Sequence, residues 1–283
     1  MYARPFPGNG PELRPLDILR GGHVMLWRNP ANKVFGERDA VTIEMPWKTP
    51  LDIAKALDKA FQEEKKLAAE QTFAWSSTFG YLSPDPLHCG TGLGIAAEFH
   101  LEALHLIGDL PAVLAGIEAV RFTAQSIETD GIRQAGHVFR ISNLATLGIV
   151  ESDLVKRAES LFTDLTIQEL AARRAIVLDS PRIFLDSITR ALALLQSARL
   201  LAPGEVFDML SPVLLAASMG YLDGITRAET VKLMNAQLDK PELPPPESAE
   251  DDRQRDERDA KLADKINKRF ARVRLNTRAT NIL

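Results

Sequence analysis

An α+β fold is predicted, with an antiparallel sheet over roughly residues 22–143 and helices from Thr49 and from Glu151 packed on it. Three observations predict it. Short segments of alternating apolar and polar residues crowd the first half, as half-buried strands require. The second half carries apolar residues at helical spacing, punctuated by Pro and Gly. At 283 residues, 45% hydrophobic and 25% charged, the chain can bury one large core or two small ones.

The elements follow in order. Residues 1–21 hold four prolines and three glycines and read as an irregular N-terminal arm. Residues 23–27 and 40–45 alternate as strands, with Asn29-Pro30-Ala31-Asn32 as a turn between them. Thr49-Pro50-Leu51-Asp52 opens a helix: Thr49 can cap it, Pro50 suits a first turn that needs no amide donor, and Asp52 favours the positive end of the dipole. Its stripe, Leu51, Ile53, Ala54, Leu57, Phe61 and Leu67, runs to about Glu70. Residues 95–101 alternate as a strand, and residues 103–119 are helical apart from a break at Gly108-Asp109-Leu110-Pro111. Residues 118–122 and 136–141 are expected as strands flanking a polar loop, 123–135, which is a candidate flap.

From Glu151 the chain turns helical, first to about Ala175, then from Ser180-Pro181 to about Ser197. Pro203-Gly204-Glu205 starts a third helix that Gly220 ends, and Thr226 caps a short one to about Leu238. These stripes read as helix faces covering a sheet. Together, residues 22–238 form one expected domain. Residues 239–252, with Pro241, Pro244, Pro245, Pro246 and a run of acids, read as a stiff solvated linker. Residues 253–283 are expected as a charged helix whose narrow stripe, Leu262, Ile266 and Phe270, lies along a surface of this chain or of a partner.

Composition excludes several functions. A formal charge of -4 argues against a nucleic-acid partner, which asks for a basic face. No apolar run approaches the roughly 20 residues of a spanning helix, and the N-terminus lacks the apolar core of a signal peptide, so no membrane partner and a cytoplasmic location are expected. The single cysteine, Cys89, excludes an intrachain disulfide and a cysteine metal cluster. It has no neighbouring cation to activate it and reads as structural. His23, His88, His100, His105 and His137 lack metal-ligand spacing, so no metal site is expected.

One stretch has the shape of a site. Residues 80–94 join a short apolar run, a Pro84-Asp85-Pro86 turn and a Gly90-Thr91-Gly92 corner ahead of the strand from Ile95. Such a loop lets a backbone approach a ligand closely, and equally serves as a tight connection between strands.

Gly80-Tyr81-Leu82, Pro86, Gly90-Thr91-Gly92-Leu93 and His100-Leu101-Glu102-Ala103-Leu104 together resemble the active-site loop and following strand of the guanidino phosphotransferases. These are the creatine and arginine kinases and, most similar in wording, the bacterial protein-arginine kinases. Upstream, Gly36-Glu37-Arg38-Asp39-Ala40-Val41-Thr42-Ile43 stands where that family has its Asn-Glu-Glu-Asp-His motif. Downstream, Val138-Phe139-Arg140-Ile141-Ser142-Asn143, Thr146-Leu147-Gly148 and Glu151-Ser152-Asp153 match in order. The resemblance spans roughly residues 21–225. It implies the glutamine synthetase-like catalytic fold of the guanidino kinases, and also implies that the small helical domain preceding it in relatives, with two nucleotide arginines, is missing here.

Phosphoryl transfer to a guanidinium needs a carboxylate to hold the substrate and cations to gather the phosphates of Mg-ATP. The resemblance places the family's principal glutamate at Arg38, where a cation would repel the substrate; Glu37 points to the opposite side of an extended chain. A second, flap glutamate falls at Ser126 counting forward from Arg121, or at Asp130 counting back from Gly136. Glu37 and Asp130 are therefore the candidate catalytic acids. Of the nucleotide arginines, one position holds Gly94 and another Thr42, while Arg121 remains; Arg121, Gly90, Thr91 and Gly92 are the candidate nucleotide-binding residues. Arg258-Asp259 resembles the family's phosphoarginine-recognition segment.

The resemblance thus implies a guanidino-kinase-like domain that has lost transfer, requires no cofactor and acts by binding. Its expected partners are an active kinase, its activator or an arginine-phosphorylated protein, and a homodimer is compatible with it. The alternative is an active, Mg-ATP-dependent phosphotransferase in which Asp85, Glu98 or Asp130 supplies the acid and Arg38, Arg133 or Arg140 re-forms the clamp.

Overall fold

A computed structural model describes residues 22–31, 41–127, 135–238 and 249–282. Its centre is a five-stranded antiparallel sheet of strands β1 (Gly22–Arg28), β2 (Val41–Trp47), β5 (Leu93–His100), β6 (Phe122–Ser126) and β7 (Val138–Asn143), in the order β2-β1-β5-β7-β6. The short β3 (Trp75–Ser76) and β4 (Gly80–Tyr81) form a separate hairpin beside it. The predicted α+β class is what the chain adopts.

Alternation decides what each face of the sheet meets. In β1, Val24, Leu26 and Arg28 are buried while His23, Met25 and Trp27 are half-exposed. The buried face packs on α1 (Ile53–Glu70) and α4 (Glu151–Asp179), with Phe162 of α4 against Phe99 and Trp47 at centroid distances of 5.2 and 5.5 Å. The central strand β5 is buried along all eight residues, its other face being covered by the Trp27 ring at Gly94 and by a helix at the His100 end. There α6 (Pro203–Ser218) lies over His100, whose Nε2 is 2.7 Å from Ser211 Oγ. A cleft opens on that face between Trp27 and Arg140.

Short helices α2 (Glu102–Leu106) and α3 (Leu110–Ala119) connect β5 to β6. Glu169 of α4 accepts the Ala103 and Leu104 amides at 3.2 and 3.1 Å and so satisfies the first turn of α2. Helices α5 (Pro181–Ser197) and α7 (Arg227–Leu238) flank α6.

Several boundaries differ from the sequence reading. The strand expected at residues 118–122 is β6, Phe122–Ser126; Glu118 and Ala119 finish α3, and the chain reverses at Arg121 with φ +63°. Residues 123–126 of the candidate flap are therefore strand. Helix α4 continues four residues past Ala175 to Asp179, where Ser180 and Pro181 end it. In the C-terminal segment, α8 runs Ala249–Phe270 instead of starting at Arg253. Residues 239–248 of the expected linker lie outside the described residues.

That helix is not tethered at a distance. Leu262, Ala263, Ile266 and Phe270 are buried, and Gln196 of α5 donates to the carbonyls of Phe270 and Val273 at 3.1 and 2.7 Å. The chain then forms β9 (Arg274–Leu275) against β8 (Leu222–Asp223), and ends in α9 (Thr277–Thr280). The narrow apolar stripe read from the sequence thus covers this chain's own helices.

Candidate functional site

The Gly-Thr-Gly corner is shaped by its own packing. Gly80, Gly90 and Gly92 have φ of +72°, +92° and +52°, which glycine adopts without steric cost. A Cβ on Gly90 would meet the Thr146 carbonyl oxygen at 2.7 Å, and one on Gly92 would meet the Trp27 carbonyl oxygen at 2.7 Å. Thr91 Oγ1 donates to the Thr146 carbonyl at 3.2 Å, and Thr146 Oγ1 donates back to the Leu87 carbonyl at 3.0 Å. Intrachain contact is a sufficient reason for these glycines.

Behind the corner lies a buried charge that sequence reasoning missed. Arg28 is 1% exposed. Its Nε donates to Glu64 Oε1 at 2.5 Å, its Nη1 donates to the carbonyls of Trp27 and Thr91 at 2.9 and 3.1 Å, and its guanidinium carbon stands 3.7 Å from the Tyr81 ring centroid. The Tyr81 hydroxyl donates to the same Glu64 oxygen at 2.7 Å. Burial, and then the bond to Glu64, push the Tyr81 hydroxyl pKa up. One ion pair thereby ties β1, α1, β4 and the loop. The available signal was an arginine in phase with Val24 and Leu26 on the inward positions of β1.

In front of the corner, on the open face of the sheet, is a cleft of about 250 Å³. Trp27 and His88 form one wall, their rings stacked at 3.9 Å and 17°. The Trp27 ring lies over Gly94: a Cβ there would come within 2.2 Å of Trp27 Cη2 and 2.7 Å of Cζ3. Arg140 of β7 forms the other wall with the Thr123 and Ser142 hydroxyls, which are 3.2 Å apart. Arg140 Nη2 is 3.9 Å from Met25 Sδ, Glu98 stands opposite Arg140 in the ladder, and among the described residues that line the cleft none is a carboxylate.

The other predicted residues fall as follows. Glu37, Arg38, Asp130 and Arg133 lie outside the described residues. Arg121 is exposed and lines a separate hollow of about 110 Å³ with Leu147 and Arg157, not the cleft. Thr42 sits opposite Trp27 on edge strand β2. Ser126 ends β6 opposite Phe139. Asp85 accepts the Leu87 amide at 2.9 Å and caps the turn before Cys89, and Glu98 stands opposite Arg140 in the ladder, almost fully buried. Cys89 Sγ bonds back to Ser83. On α8, Arg258 Nε donates to Asp259 Oδ1 at 2.7 Å, so these two residues engage each other.

A second polar cluster lies at the far end of the same face. Ser211 Oγ has His100 Nε2 at 2.7 Å, Glu102 Oε2 at 2.6 Å and the Gly136 carbonyl at 2.8 Å. A hydroxyl has one proton, and an ionised carboxylate and a carbonyl only accept, so His100 donates its Nε2–H to Ser211. Burial opposes charge on Glu102, yet its bonds to His137 and Ser211 outweigh burial and hold its pKa below the usual 4.5. For His137 burial is likewise outweighed by the 2.6 Å bond to Glu102, and its pKa rises above 6.5. His105, stacked on His137 at 3.6 Å, is held low by burial and by that charge. Gly136 N donates to Asp208 Oδ1 at 3.0 Å. The cluster clamps the turn at residues 135–137 onto α2 and α6, and Ser211, 1% exposed, is a buried strut.

Among the described residues, no group of three or more His, Cys, Asp or Glu could hold a metal ion. No described helix is long and apolar enough to cross a membrane.

An antiparallel sheet carries the Gly-Thr-Gly loop at the mouth of an open-face cleft, and a known family model matches the same stretch of the chain. Residues 33–172 match the ATP:guanido phosphotransferase C-terminal catalytic domain, so this stretch of the chain is similar to the catalytic domain of the guanidino phosphotransferases. It is 30% identical over 201 residues to a protein-arginine kinase of Bacillus cereus, covering 71% of this chain and 56% of that protein. It is 28% identical over 201 residues to a protein-arginine kinase of Bacillus anthracis, with the same coverage of 71% and 56%. The chain thus spans about half the length of the curated relatives it matches. Similar solved structures include lombricine kinase (21% identity, TM-score 0.34, covering 43% of this chain and 32% of that one). Another is the duplicated taurocyamine kinase from Schistosoma mansoni with bound transition state analog components (18% identity, TM-score 0.39, covering 64% and 24%).

Proposed function

We propose that this chain is a guanidino-kinase-like domain that acts by binding a protein partner and no longer transfers phosphate. The observation that carries the reading is the Trp27 ring over Gly94. Gly94 is where the resemblance calls for a phosphate-clamping arginine, and the indole fills the space that such a side chain would leave through. Loss of one arginine could be repaired by a neighbour; occupation of its exit by a stacked aromatic pair is a refitting of the cleft.

The family's donor is Mg-ATP. Among the described residues the cleft offers one permanent cation, Arg140, and no carboxylate. A triphosphate with its magnesium asks for several cations and an acid, so these residues do not complement it and no transfer step is derived.

A second reading has one observation in its favour. Arg140 lines the cleft beside Gly94, where a re-formed clamp would stand in an altered but active phosphotransferase. Calorimetric titration with millimolar ATP and magnesium separates the two. The binding reading expects no heat of association; magnesium-dependent ATP binding lost in Arg140→Gln would overturn it.

A further inference from the structure

We propose that the hollow between the α3–β6 turn and the β7–α4 loop is a docking site for a protein partner that presents an aliphatic side chain beside a carboxylate. The proposal gives the partner's chemistry for the binding reading above and rests on it.

Apolar surface is concentrated at these two connections. Val120, Leu144, Leu147 and Val150 are 48%, 47%, 46% and 60% exposed. The first three line the hollow, together with Phe122 and Leu154, which are buried. A partner that covers this patch removes several large aliphatic groups from water at once. The surface is already held in shape. The Leu144 amide donates to the Arg121 carbonyl at 3.1 Å and joins the two connections. Asn143 anchors the loop to β5: its Oδ1 accepts the Ile95 amide at 2.7 Å and its Nδ2 donates to the Leu93 carbonyl at 3.1 Å. A preformed surface gives up little ordering entropy on binding.

Charge selects the partner. Arg121 and Arg157 line the hollow, and none of its lining residues is a carboxylate. Glu118 and Asp153, each about one turn before one of these arginines, make no ion pair with them, and among the described residues neither guanidinium has a bonded partner. Arg121 stands at φ +63°, a left-handed helix end that glycine adopts at lower cost. An arginine kept in that conformation holds a cation beside the hollow at the expense of backbone strain.

The two guanidiniums can satisfy a carboxylate by themselves. A phosphoryl group, with three terminal oxygens, calls for further donors, and Asn143 is already engaged with Leu93 and Ile95. At about 110 Å³ the hollow is far below the roughly 300–1,000 Å³ of small-molecule sites, so it takes one side chain of a larger partner.

The test selects a displayed library of random peptides on the full chain, then measures a synthetic consensus peptide by fluorescence anisotropy. The expected consensus sets Leu, Ile, Val or Met beside Asp or Glu. Binding should be at least tenfold weaker in Arg157→Gln and in Leu147→Asp, each with an unchanged melting temperature, and similarly weaker when the peptide's acid is replaced by its amide. No enrichment, a consensus without an acid, or equal binding by both variants overturns the proposal. Tighter binding of a peptide with phosphoserine in place of the acid overturns the assignment of a carboxylate. Phosphoryl transfer from Mg-ATP would instead overturn the binding reading, whereas a failed selection leaves that reading standing at another surface, so the two failures are distinguishable.

Discussion

The Trp27 indole and the Gly94 backbone occupy one site: a methyl group added at Gly94 would stand 2.2 Å from Trp27 Cη2. Each residue permits the other. Gly94→Ala is expected to lower stability by about 1–3 kcal/mol through overpacking. Trp27→Leu should remove most of that penalty in the double variant. Urea denaturation of the four proteins of the cycle measures the coupling, and additive effects would mean that the ring moves aside freely.

The ion pair behind the loop gives a second prediction. Arg28 and Glu64 are 1% and 8% exposed, so Glu64→Ala leaves a buried guanidinium without its partner and should cost about 3–5 kcal/mol. Replacing both residues with methionine should cost much less than the single change, because no charge is then stranded. Tyr81→Phe removes one bond to an ionised acceptor and should cost about 1.5–3 kcal/mol. Chemical denaturation checks all three.

The cluster at residues 100–137 makes stability depend on pH. His137 has a folded pKa above its ordinary 6.5, so its contribution is full below that ordinary value and is lost as pH rises through the raised one. Glu102 has a folded pKa below its ordinary 4.5, so its contribution is full above 4.5 and is lost as pH falls through the lowered one. The melting temperature should therefore plateau between about pH 4.5 and 6.5 as far as this pair decides it. His137→Gln should flatten the decline on the alkaline side. A decline of equal depth in that variant would assign it to other groups.

Glu169 caps the first turn of α2 from another helix. Glu169→Ala should cost about 1–3 kcal/mol by leaving two buried amides unsatisfied. Glu169→Gln, which keeps one acceptor oxygen, should cost less. Thermal melts of the two variants test the order.

Much of this was legible in the sequence because it depends on local period. The alternation of Val24 and Leu26 with His23, Met25 and Trp27 placed β1, the Ser180-Pro181 pair placed the break between α4 and α5, and the Gly-Thr-Gly corner marked the loop. Gly94 was marked as well, through the resemblance. The ring that lies over it was not, since Trp27 lies 67 positions earlier and reads there only as one more strand residue. Arg28–Glu64 and Ser211–Glu102 are similarly joined by tertiary packing across 36 and 109 positions, a relation that no local pattern encodes. The β6 boundary failed for a local reason: Val113 to Val120 suits a helix as well as a strand, and the left-handed turn at Arg121 decides where the helix stops.

The central claim, a guanidino-kinase fold refitted for binding, is tested most directly by phosphoryl transfer. The purified chain would be incubated with magnesium, γ-labelled ATP and an arginine-rich protein, and label covalently attached to arginine would be counted against a heat-denatured control. The account predicts no label above that control. Transfer that depends on magnesium and disappears in Arg140→Gln would contradict it.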